Sequence, residues 1–388
     1  MENLHLERVT TMERSHFIDY AKALCIVLVV FIHTGFSALN SIILFAMPMF
    51  FAATGYTFSL GKRSFRQNIT LRFKSIMIPY FLLMLFYTLI EMLRAKLFGY
   101  GNAAVAIPSL VNMVYGSGIV PFADVFDNLK VIMSYKAQPQ TGVDLILPTN
   151  CHLWFLPAMF TAYVIFSSLV NVVRKNHLSK VLVVFCLVLF ASAEVVFPKL
   201  CQLPFALGRG AIGAAFMLFG FWLKDYKLIE NKSRRYYILT NILALTLFIG
   251  ALYFGSDGSA FVRSFYGPYG VLSVLATFVG GATGIWFVLS LCKIIEKLPL
   301  VQLKKLLSFT GRNVMTIYAW HMAVKFLFDA VYICSVKSSD FSMLDEYKMG
   351  LMPQTSMCFM LFEALAVIMI CLFFGKTADK LKSVKKQN

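Results

Sequence analysis

Apolar residues in this chain come in runs of about 20, the length a helix needs to cross a bilayer core of about 30 Å at 1.5 Å per residue. Short polar stretches separate the runs. They lie near Phe17 to Ala38, Asn40 to Leu60, Ile76 to Phe98, Leu153 to Val173, Val181 to Phe197, Phe205 to Leu223, Tyr236 to Phe254, Pro268 to Cys292, Val314 to Cys334 and Met357 to Phe374. This pattern predicts an all-α, polytopic integral membrane protein with about ten transmembrane helices, forming a single membrane-embedded domain over residues 1–388. The connection from Gly99 to Asn150 is the exception to the short links, and it carries Asp124, Asp127 and Asp144. Loops beyond about 15 residues are usually functional or disordered, and this one is expected on the extracytoplasmic side, over an outward-facing cleft. The first apolar run contains Asp19 and Lys22 and lacks a small-residue cleavage site, so it is expected to be a retained span and not a signal peptide.

Composition agrees, with 59% hydrophobic and 14% charged residues against roughly 25% charged in soluble domains. The net charge of +17 invites a nucleic-acid role, but the placement of the charges argues otherwise. With the N-terminus inside, the inner flanks hold 25 of the 36 Lys and Arg residues. Among them are the group Lys62, Arg63, Arg66, Arg72 and Lys74 and a short basic tail over 376–388. The outer loops hold six. That asymmetry is the positive-inside pattern with both termini cytoplasmic. The basicity is topological, the lipid bilayer is the expected surroundings, and nucleic acid is not an expected partner. Eight cysteines are scattered, mostly within the runs, with no paired spacing, so neither a metal site nor a disulfide framework is expected.

The candidate chemistry lies inside the runs. Lys22 and His33 are eleven residues apart, close to three helical turns, so on a helix they share a face about 16 Å apart along the axis. Asp19, one turn before Lys22, shares that face. Ionisable groups inside a membrane are costly and mark working sites, and an imidazole is the side chain best suited to move protons near neutral pH. The alternatives are ordinary ones: Lys22 snorkels to the inner interface, Asp19 is its ion-pair partner, and His33 bonds a neighbouring helix. His321, three residues after Tyr318, is either a catalytic imidazole or a polar contact between helices. Glu91 and Arg94, one turn apart, are expected to pair with each other. Glu194 and Arg209 close a buried ion pair or line an acceptor path. His152 begins a span at the outer face beside Trp154, an interfacial anchor.

Five stretches in order resemble the membrane acyltransferase-3 family. The segment from Arg14 through Asp19, Lys22 and Leu24 to His33 is similar to its first span, where an Arg or Lys lies about ten residues before a His. Pro48, Phe50, Phe51, Thr54, Gly55 and Tyr56 resemble its Pro-x-Phe-Phe…Ser-Gly-Tyr span, with Thr for Ser. Arg72, Phe73 and Lys74 through Pro79 and Tyr80 resemble the basic entry to its third span. His152 to Leu156 matches His-Leu-Trp-Phe-Leu, and Gly311, Arg312 and Asn313 with Tyr318 and His321 resemble its late Gly-x-Asn…Tyr-x-x-His.

The resemblance implies a multi-pass enzyme of the inner (cytoplasmic) membrane. Such an enzyme takes an acyl group, commonly acetyl, from cytoplasmic acyl-CoA, a co-substrate and not a bound cofactor. It places that group on a hydroxyl of an extracytoplasmic glycan or glycolipid. His33, as a base for the hydroxyl proton or a nucleophile that holds the acyl group in transit, and Lys22, Asp19 and His321 are then the catalytic candidates, and His152, Trp154, Glu194, Arg209 and Tyr318 the acceptor path. Arg72, Lys74, Arg63 and Arg66 suit the CoA phosphates, because Arg forks bind phosphate bidentately and Lys adds a point charge. Where family members often carry a second Arg three residues after Arg72, this chain has Ser75, which leaves Lys74, or Arg63 and Arg66 with their own Arg-x-x-Arg spacing, to take its place. The rival class is a secondary transporter or exporter with an intramembrane Lys/His proton relay, against which stands the lack of a visible internal repeat.

Overall fold

The computed structural model describes residues 16–34, 43–61, 63–97, 110, 113, 114, 116, 151–175, 182–190, 204–230, 232–255, 271–336 and 357–384. Its elements are helical, with no strand among the described residues. In chain order they are α1 (His16–His33), α2 (Ile43–Tyr56), α3 (Phe65–Arg72), α4 (Ile78–Leu97), α5 (Phe155–Lys175), α6 (Leu207–Asp225), α7 (Arg234–Gly255), α8 (Val271–Lys297), α9 (Val301–Arg312), α10 (Val314–Val336) and α11 (Met357–Val384). Seven helical stretches among the described residues are long and apolar enough to cross a membrane: α1, α3 continued into α4, α5, α6, α7, α8 and α11. α2 is apolar but has only 14 residues. α10 is 23 residues long, with His321 and Lys325 breaking its apolar run. Of the apolar run at Val181 to Phe197, the described part is a helix over 182–190.

Local sequence explains how the third run begins. Ser64 accepts a hydrogen bond from the Gln67 amide at 3.3 Å, and the Gln67 side chain accepts one from the Ser64 amide at 3.1 Å. This reciprocal cap follows from the Ser-x-x-Gln spacing and starts α3. Phe73–Met77 then forms a single π turn that leads into α4. Pro79 has no N–H to offer the Ser75 carbonyl, and its ring crowds that oxygen. A wider turn just before it relieves the crowding, and such turns recur at functional sites.

The core centres on α6, most of which is buried, whereas α7 turns nearly all its surface outward as a lipid-facing helix would. α2 and α6 cross at backbone contact. A Cβ on Gly55 would lie 1.8 Å from the Met217 carbonyl oxygen, and one on Gly220 would lie 2.0 Å from that of Ala52. Small residues permit such approach in membranes, where packing and not water exclusion holds helices together. α1 packs against α2, α8, α9, α10 and α11, and α10 packs against α11. α1 thus runs through the interior, and both its ends meet other helices.

Candidate functional site

The two ends of α1 hold different chemistry. Near the start, Lys22 Nζ lies 2.7 Å from Asp19 Oδ1, and the Asp19 side chain is buried while that of Lys22 is partly exposed. α9 presses on this pair from one side: a Cβ on Gly311 would lie 2.0 Å from the Asp19 carbonyl oxygen. Next to it, Lys293 pairs with Glu296 at 2.8 Å and sits 4.1 Å from the Phe17 ring centre. The start of α1 is a set of charges satisfied by one another.

His33, the last residue of α1, meets a layer of aromatic and imidazole rings. Its ring centre is 5.2 Å from that of His321 on α10, and His321 is 5.4 Å from His152, in the short 3-10 turn Cys151–Trp154. Tyr87 of α4 lies edge-on to His152 at 4.8 Å and donates from its hydroxyl to the Ala319 carbonyl at 2.8 Å. Tyr318 donates from its hydroxyl to the His152 carbonyl. Three helices and a turn, α1, α4, α10 and Cys151–Trp154, therefore bring His33, His152, His321, Tyr318 and Tyr87 together.

Hydrogen bonding gives one tautomer of His321. Nδ1 lies 2.8 Å from the Tyr318 carbonyl and 3.1 Å from that of Ile317. A carbonyl only accepts, so Nδ1 carries the proton, and Nε2 presents a lone pair. That Nε2 is buried and has no hydrogen-bond partner among the described residues. Among the described residues no carboxylate forms an ion pair with His33 either. An imidazole without a carboxylate counterion is able to take up a proton transiently and pass it on, which is what general-base catalysis requires.

The other candidate residues divide by location. Arg209, buried in the first turn of α6, stacks its guanidinium 4.9 Å from the Trp154 ring centre, an arrangement suited to a desolvated cation. Glu194 lies outside the described residues, as does most of the connection from Gly99 to Asn150, and the side chains of Glu91 and Arg94 are not described. Arg63 and Arg66 line an open hollow of about 490 Å³ with Gln67, Thr70 and Leu71. Arg72 is aimed elsewhere, 4.8 Å over the Tyr163 ring of α5, and Lys74 is exposed on the π turn. The basic group is therefore two neighbouring features and not a single cradle.

Two residues that sequence reasoning passed over join the histidine layer. Lys325, one turn beyond His321, and Glu363 of α11 form a buried ion pair at 3.5 Å. The signal was there, since both are ionisable residues inside apolar runs and Lys325 follows His321 at the four-residue spacing that shares a helix face.

A family model described as an acyltransferase domain matches residues 15–376, nearly the whole chain. The chain belongs to the acyltransferase-3 family. It is a multi-pass membrane acyltransferase. Comparison with curated proteins and with solved structures returns no match. The family match begins one residue before α1 and runs past the start of α11, so it takes in every helix that contributes to the histidine layer.

Proposed function

We propose that this acyltransferase moves an acyl group, commonly acetyl, from cytoplasmic acyl-CoA to a hydroxyl of an extracytoplasmic polysaccharide, cell-surface glycan or glycolipid. The observation that carries the proposal is the packing of His33 against His321, about three helical turns from the Asp19–Lys22 pair. In a ten-span arrangement with both termini cytoplasmic, as the distribution of basic residues supports, this centre lies past the bilayer midplane, between an inner donor and an outer acceptor.

In this scheme His33 is the base. The acceptor oxygen attacks the thioester carbonyl carbon as the hydroxyl proton passes to the His33 imidazole. The tetrahedral intermediate collapses, the C–S bond breaks, and the CoA thiolate takes the proton back from the imidazolium. An ester and a free thiol result, and protons balance. Arg63 and Arg66, with Arg72 and Lys74 beside them, suit the phosphates of the donor at the inner surface. Arg209, Trp154 and His152 suit the acceptor side.

Purified protein in liposomes, given labelled acetyl-CoA on one face, is expected to release free CoA in step with acetylation of an added glycan. Mass spectrometry of surface glycans from cells with and without the protein is expected to differ by acetyl increments. Glycans identical in the two cell types would refute the proposed reaction.

A further inference from the structure

Lys325 and Glu363 are each only 3% exposed, with Nζ and Oε1 3.5 Å apart across the α10–α11 seam. Stability does not explain such a pair. Taking two charges out of water costs about as much as their attraction returns, and apolar replacements of similar volume commonly fold as well or better. The best-attested use of a buried ion pair is to fix one register among several.

Two other contacts across the seam are less specific. At one end a Cβ on Gly375 would lie 2.5 Å from Asn313 Oδ1, and further along Phe328 and Phe362 touch with ring centres 6.3 Å apart. These are close but weakly directional contacts. Lys325–Glu363 is a charged contact across this seam, and it sits one turn from His321 on the same face of α10. A small rotation of α10 on α11 carries His321 away from His33, which belongs to a third helix.

We propose that the Lys325–Glu363 pair is the positioning element of the transfer centre, fixing the rotation of α10 on α11 and so holding the His321 ring against His33. This rests on the assignment of His33 and His321 above. It concerns only what places them. Lys325 and Glu363 act through His321 and touch no reacting atom in this scheme.

Two measurements on the full-length protein in liposomes test it. In the first, kcat and KM for acetyl-CoA are compared across variants. Glu363→Gln is expected to lower kcat about 100-fold, the size a misplacement of about 1 Å produces, with KM for the donor unchanged. The charge swap Lys325→Glu/Glu363→Lys restores the pair and is expected to restore most of the rate. The apolar double variant Lys325→Met/Glu363→Leu folds but stays slow. A wild-type kcat in that apolar variant would overturn the proposal and make the pair merely structural. In the second, cysteines replace His33 and His321 in an otherwise cysteine-free protein, and a short bifunctional thiol reagent links them. Linking is expected to slow with Glu363→Gln and recover with the charge swap. Unchanged linking with Glu363→Gln would overturn the proposal. Linking needs no turnover, so a still-active His33→Gln protein would end the transfer-centre assignment while leaving the positional coupling to be judged by linking alone.

Discussion

The two ends of α1 carry ionisable groups on one helical face, yet they satisfy them in opposite ways. At the N-terminal end Asp19 and Lys22 pair at 2.7 Å beside a second pair, Lys293 and Glu296. At the other end His33 lies against His321 with no carboxylate partner among the described residues, and the His321 Nε2 lone pair is unused. A paired charge is spent on structure: its favourable interactions are complete, and moving a proton there breaks them. The His321 imidazole, buried and with one ring nitrogen unpartnered among the described residues, has capacity in reserve. In the proposed scheme the chemistry therefore belongs to the His33 end, and the Asp19–Lys22 end serves structure and the donor side.

The largest effect that tests this contrast is on His33. His33→Gln preserves polarity and much of the volume but cannot accept the hydroxyl proton. Loss of a general base commonly costs 10² to 10⁴ in rate, so acetylated product is expected to fall at least about 100-fold at normal protein level and melting temperature. A well-expressed His33→Gln enzyme with wild-type rate would erase the distinction between the two ends and turn attention to His321.

How much of this was legible in the sequence depends on how far apart the partners lie along the chain. Asp19, Lys22 and His33 are neighbours on one helix, so spacing alone gave their shared face. The Ser64–Gln67 cap that starts α3 was equally local. The meeting of His33 with His321 and His152 was not legible, because 288 residues of chain separate the first two and only the packing of α1 on α10 joins them. Arg72 illustrates a different limit. A basic cluster reads as one feature when counted by charge, whereas the π turn ahead of Pro79 leaves Arg72 over Tyr163 and only Arg63 and Arg66 at the open hollow. Lys325 and Glu363 lie in separate apolar runs, and only the packing of α10 on α11 brings them together.

A middle-sized effect separates donor binding from chemistry. If the basic group serves the donor, Arg63→Ala and Arg66→Ala are each expected to raise KM for acetyl-CoA about 10- to 100-fold with kcat unchanged, as loss of one charge-assisted phosphate contact of about 1.5–3 kcal/mol would do. Arg72→Ala loses its stacking on Tyr163 as well and is expected to raise KM for the donor more than for the acceptor. Equal changes in both KM values for all three variants would make the basic group a matter of topology alone, measured by initial rates against each substrate in turn.

The smallest effect on catalysis is expected at Lys22. Lys22→Ala leaves the buried Asp19 carboxylate without its ammonium, and an unsatisfied buried polar group costs about 1–3 kcal/mol, more when charged. The partial exposure of Lys22 moderates that figure, since solvent already screens the pair. The loss is expected as a lower melting temperature in detergent. Lys22→Arg keeps the charge one turn from Asp19 and is expected to melt near the wild type. In the proposed scheme kcat per folded molecule stays close to wild type in both variants, because His33 and not the Asp19–Lys22 pair moves the proton. The opposite result, a Lys22→Ala protein of undiminished melting temperature whose kcat has collapsed, would break the comparison at its other term, since it would make a group three turns from His33 part of the chemistry despite its ion pair.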